Sequence, residues 1–114
     1  MVNTEKLISR YIEASIKYGK AQEEGDAKKV NKCANIIRKI RTELKKDSPI
    51  YVEKLEPLLV HENDYVRLKT AFDLLPILTE QAEEVLVELS NKKGLIGFEA
   101  EMTLEEWKRG NLIY

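Results

Sequence analysis

Cysteine, histidine and tryptophan each occur once in these 114 residues, proline three times and glycine five times. Each scarcity excludes something. One thiol cannot close an internal disulfide and fits a reducing compartment. So few prolines and glycines leave too little turn chemistry for the many short strands of an all-β fold. The opening run MVNTEKLISRYIEAS places charges inside every apolar window, which argues against a signal peptide or a membrane span. The expected location is therefore the cytoplasm. The chain has no glycine-rich phosphate loop, no nucleophile elbow and no HExxH pair. The expectation is a protein with no cofactor, no catalytic residues and no metal site.

What the chain does have is charge and helical periodicity. Hydrophobic residues make up 43% and charged residues 34% of it, a balance that suits a soluble helical protein with a core to bury. The net charge of −1 is unevenly spread. Residues 1–48 carry 12 Lys/Arg against 7 Asp/Glu, a net of +5; residues 49–114 carry 7 against 13, a net of −6. That polarity points to a charged partner at one end.

Six helices are expected. Thr4 is placed as the cap of the first, whose stripe is Leu7, Ile8, Tyr11, Ile12 and Ser15, with Gly25 as its stop. Asp26 caps the second, where Val30, Cys33, Ile37, Ile40 and Leu44 recur at steps of three and four. Lys28, Lys32, Lys39 and Lys46 fall on the opposite face. Ser48 and Pro49 open a third helix with Val52, Leu55, Leu58 and Leu59 inward, bent at Pro57. The His61–Asp64 turn leads to a fourth helix, capped by Asn63 or Asp64 and ended by Pro76. Thr79 is placed as the cap of the fifth, with Ala82, Val85, Leu86 and Leu89 inward. Gly94 and Gly97 are read as a tight reversal before a sixth helix over residues 98–109, stopped by Gly110 and Asn111. An apolar tail, Leu112, Ile113 and Tyr114, is expected to fold back.

A weak repeat runs through the second half. Residues 52–59 can be laid on 82–89, and 66–75 on 98–107, so that Val66 meets Phe98. Paired helices that cannot bury their apolar faces alone must stack. The expected architecture is one all-α domain of about three stacked antiparallel hairpins, over 4–48, 49–76 and 79–110.

The pattern Leu58-Leu59, Asn63-Asp64-Tyr65-Val66-Arg67, Ala71, Leu74-Leu75 resembles a HEAT repeat. The resemblance implies a HEAT-like α-α superhelix and structural roles in register for Asp64, Val66 and Arg67. The unit at 79–110 departs from the pattern, because Phe98-Glu99 stands where Val-Arg belongs. The run from Gly94 to Gly110, GLIGFEAEMTLEEWKRG, is similar to the signature of the bacterial domain-of-unknown-function family numbered twenty-nineteen. That likeness implies the same all-α array and no established activity.

The chemistry-bearing residues read mostly as structural. His61 lies in a turn with a poor ligand set and is expected to be solvent-exposed. Cys33 sits in an apolar stripe, as a small hydrophobe would. Glu101 and Glu105 share a face and repel if both are ionised. Arg67 is expected to pair with Glu99 or Glu101. Trp107, Tyr65 and Glu105 are candidate partner contacts, and Tyr11, Tyr18, Tyr51 and Tyr65 candidates for a binding face. The functional expectation is a non-enzymatic protein-interaction module, with toxin neutralisation (immunity) as one form of it. The alternative is nucleic-acid binding through the basic face of helix two, carried by Lys28, Lys29, Lys32, Arg38, Lys39, Lys45 and Lys46.

Overall fold

A computed structural model describes residues 3–112 and 114. Among the described residues there is no strand; there are six α-helices and one 3-10 helix. They are α1 (Thr4–Glu24), α2 (Ala27–Lys45), α3 (Ser48–Leu55), a 3-10 helix (Glu56–Val60), α4 (Asp64–Leu74), α5 (Thr79–Ser90) and α6 (Leu95–Lys108). The all-α expectation holds. The chain divides into two compact units, residues 1–57 and 58–114. The boundary falls inside the segment 49–76 expected to form one hairpin, so α3 belongs to the first unit and α4 to the second.

In the first unit α1 packs along α2, and α3 packs on α2. Asn3, not Thr4, caps α1: its side-chain oxygen accepts from the Lys6 amide at 3.1 Å. Gly25 ends the helix at φ 71°, its amide and that of Asp26 turning back to the carbonyls of Gln22 and Ala21. That double closure needs a left-handed residue, where any side chain is strained. Asp26 then caps α2 as expected, accepting from the Lys29 amide at 3.1 Å. Cys33, Ile37, Ile40 and Leu44 are buried and Val30 is half-buried, each fully buried aliphatic side chain contributing about 1.5–3 kcal/mol.

Asp47 caps α3, and Ser48 is the first residue of the helix rather than its cap. The proline does more than bend this helix. Pro57 has no amide to continue the α-ladder, so the chain leaves α geometry after Leu55 and tightens into 3-10 winding. Tyr51 and Leu55 are the buried side chains of α3, while Val52 is only half-buried.

In the second unit α4, α5 and α6 pack against one another. Asn63 caps α4, its oxygen accepting from the amides of Tyr65 (2.9 Å) and Val66 (3.1 Å). His61 is half-buried, not exposed, and its Nδ1 accepts from the Asn63 amide at 2.9 Å, which holds the turn. Thr79 opens α5 without capping it; its hydroxyl donates to the Leu75 carbonyl at 2.7 Å. Ala82, Val85, Leu86 and Leu89 are buried as the stripe demands.

The sixth helix starts at Leu95, three residues earlier than expected, so Gly97 lies within it rather than in a reversal. Its role is steric. A Cβ on Gly97 would stand 1.8 Å from the Lys92 carbonyl oxygen, a backbone atom that cannot step aside. Only glycine allows α6 to pass this close to the end of α5. The tail does fold back at Tyr114, whose hydroxyl donates to the Phe72 carbonyl at 2.6 Å; Ile113 lies outside the described residues.

Two substitutions separate these causes in thermal or chemical denaturation. Gly97→Ala is expected to cost upwards of about 1–3 kcal/mol, because the clash is with backbone. Gly25→Ala, with open space around it, is expected to cost only the left-handed penalty of about 1–2 kcal/mol.

Candidate functional site

The residues singled out at the start of α4 form a charge network within the second unit. Arg67 is 12% exposed at its side chain. Its Nε donates to the Leu59 carbonyl at 3.1 Å, Nη2 lies 2.9 Å from Glu88, and Nη1 lies 3.7 Å from Asp64. Asp64 in turn receives Lys92 at 2.8 Å. The signs alternate from Glu88 through Arg67 and Asp64 to Lys92. Asp64 also opens α4, where the helix dipole favours a negative charge.

This corrects the expected pairing of Arg67 with Glu99 or Glu101 on α6. The first turn of α4 lies beside the last turn of α5, so the carboxylate within reach belongs to Glu88. Val66 is fully buried. The position matched to it by the repeat, Phe98, is instead 57% exposed.

The aromatic candidates do not form a binding face. Tyr11, Tyr18, Tyr51 and Tyr65 are all buried. Trp107 is half-buried, with Tyr114 set edge-on to it at 6.4 Å. Glu101 and Glu105 are exposed and Glu99 is half-buried. Glu106 is engaged locally, accepting from Asn111 at 3.0 Å and Arg109 at 3.5 Å.

Two exposed surfaces stand out, one on each unit. On α6, the face opposite buried Ile96, Gly97, Ala100 and Leu104 presents Leu95, Phe98 and Met102 at 42%, 57% and 40% exposure. Spacings of three and four put them in one stripe, which Glu101 and Glu105 flank. No periodicity argument flagged this stripe, because a helix apolar on two sides blurs its own pattern. Lys28, Lys32 and Lys39 on α2 and Lys46 at its C-cap are all exposed along one line, as expected. Lys32 also borders a groove of about 550 Å³ between α1 and α2, lined by Lys17, Lys20, Ala21, Glu24, Lys29, Cys33 and Ile36. Lys17 lies 2.7 Å from Glu13. The hydrogen bond and attraction between them push the lysine above its ordinary value and the carboxyl below its own. This exposed pair therefore stays charged at neutral pH and is lost on acidification, once Glu13 binds a proton.

Among the described residues no group of three or more His, Cys, Asp and Glu is placed to hold a metal ion. No helix among them is long and apolar enough to cross a membrane.

The charge network makes a measurable claim. Arg67→Ala should lower stability by about 1–3 kcal/mol, since it strips a buried carbonyl of its donor and leaves Asp64 and Glu88 adjacent. Lys92→Ala, at a more exposed pair, should cost under about 1 kcal/mol. Equal effects in urea denaturation would show that Arg67 is not the centre of the network.

No curated protein matches the chain. It is similar in fold to the crystal structure of the protein RPA1889 from Rhodopseudomonas palustris CGA009, with a TM-score of 0.88 and 21% identity, over 100% of this chain and 95% of that one. At that identity the likeness speaks for the fold alone. The family described as Domain of unknown function (DUF2019) matches residues 5–107, nearly the whole chain. The chain belongs to that family.

Proposed function

We propose that this protein is a non-enzymatic protein-binding module that engages its partner through the outer face of α6. The carrying observation is the stripe of Leu95, Phe98 and Met102, three large apolar side chains in water on a helix whose other face is already packed. An aromatic and a methionine set together at a surface are typical anchors of protein interfaces. The flanking Glu101 and Glu105, and the surplus of 11 Asp/Glu over 6 Lys/Arg in residues 58–114, suit a partner with a basic rim. The HEAT-like repeat pattern of the sequence and a bacterial, cytoplasmic setting belong to the same reading. Neutralising a toxin is its most specific form, since an immunity protein of this kind needs only an acidic, apolar-centred face.

The line of Lys28, Lys32, Lys39 and Lys46 supports a second reading, nucleic-acid binding along α2. Among the described residues of the first unit no aromatic side chain is exposed to stack a base.

The test is an affinity capture followed by a direct binding measurement on the recovered partner. Phe98→Asp with Met102→Asp should reduce affinity at least about 100-fold, the loss of two anchors, with melting temperature unchanged. An unaltered affinity would refute the α6 assignment. Salt-sensitive binding of duplex or single-stranded DNA, lost on reversing Lys28, Lys32 and Lys39, would put the second reading first. For the toxin form, co-expression with the recovered partner should restore growth.

A further inference from the structure

The groove between α1 and α2 lies wholly within the first unit and is independent of the α6 surface. Two lysines stand on each bank: Lys17 and Lys20 from α1, Lys29 and Lys32 from α2. Each pair is spaced by three, so both members face the groove. Between the banks lie Ala21, Cys33 and Ile36, and the groove continues over Ala14 toward Arg10. The small residues keep the floor low. Glu24 at one end and Glu13, already paired with Lys17, are the only carboxylates lining it among the described residues. Lys20 and Lys32 have no carboxylate partner there. Lys17 is answered by Glu13 at 2.7 Å and Lys29 more loosely by Asp26 at 3.9 Å, so the charge left open across the groove is that of Lys20 on one bank and Lys32 on the other.

We propose that this groove is a docking site for an acidic amphipathic helix of a partner protein. Two helices side by side leave a furrow whose natural filler is a third helix, laid ridge into groove. Ala14, Ala21 and Cys33 allow its backbone to come close, and Ile36 meets its apolar stripe. A carboxylate on each flank of that stripe answers the lysines of each bank. From Arg10 to Glu24 the groove follows α1 for roughly 21 Å, about four helical turns. A polyanionic backbone would use the lysines and leave the half-buried Ile36 uncovered, which favours a helix over a nucleic acid.

The probe is a labelled synthetic peptide of about 18 residues, roughly 27 Å when helical, with a leucine and alanine stripe flanked on both sides by glutamate. It is titrated against the full chain by fluorescence anisotropy at low and high salt. Saturable binding is expected. Lys20→Glu with Lys32→Glu should weaken it at least about tenfold. Lys28→Glu with Lys39→Glu removes the same charge outside the groove and should weaken it less than about threefold. All four positions are exposed, so circular dichroism should show an intact fold. Equal losses in the two variants would reveal non-specific attraction and overturn the proposal. So would tighter binding of duplex DNA through Lys20 and Lys32, or self-association of the chain that the same pair abolishes and the peptide does not compete.

Discussion

One guanidinium organises the second unit. Arg67 reaches the 3-10 helix through the Leu59 carbonyl, its own helix through Asp64 and α5 through Glu88. Asp64 carries the linkage on to Lys92, in the loop before α6. Arginine suits this place because its planar fork can serve three acceptors at once, where a lysine ammonium would have to choose. Its low exposure keeps water from competing. Lys92 is held from two directions, by its ammonium on Asp64 and by its carbonyl against Gly97. The approach of α6 is fixed by a charge at one end of a residue and a steric limit at the other.

Much of this was legible in the sequence, and the failures have physical reasons. Stripes at 3.6-residue spacing marked the first, second, third and fifth helices, turn and stop residues placed the fourth and sixth, and Asp26, Asn63, Gly25 and Gly110 acted as the signals they resembled. Two of the missed caps fell one residue late, Thr4 for Asn3 and Ser48 for Asp47. Adjacent residues there are all good caps by type, and only backbone geometry chooses among them. Gly97 was misread because its constraint comes from a carbonyl five residues away, across a turn. The partner of Arg67 was misjudged for a similar reason: the register between helices decides it, and register is not written in either helix alone.

The candidate surfaces were half legible. The lysine line on α2 follows from spacing alone. The apolar stripe on α6 does not, because Leu95, Phe98 and Met102 look like core residues until the opposite face is seen to be filled by Ile96, Ala100 and Leu104. The repeat gave the hint in reverse: where Val66 is buried, its counterpart Phe98 faces water. A position that the weak sequence repeat would put in the core instead adds to the surface. The two units thus offer surfaces of opposite character, an acid-flanked apolar ridge and a lysine-banked furrow.

The indole beside Tyr114 has a practical consequence. Trp107 is the sole tryptophan, and it lies in the second unit, while the first holds Tyr11, Tyr18 and Tyr51. Selective excitation of the indole reports on one half of the molecule and is blind to the other. Comparing its emission with backbone ellipticity during denaturation therefore asks whether the halves melt together or in sequence, with no label attached.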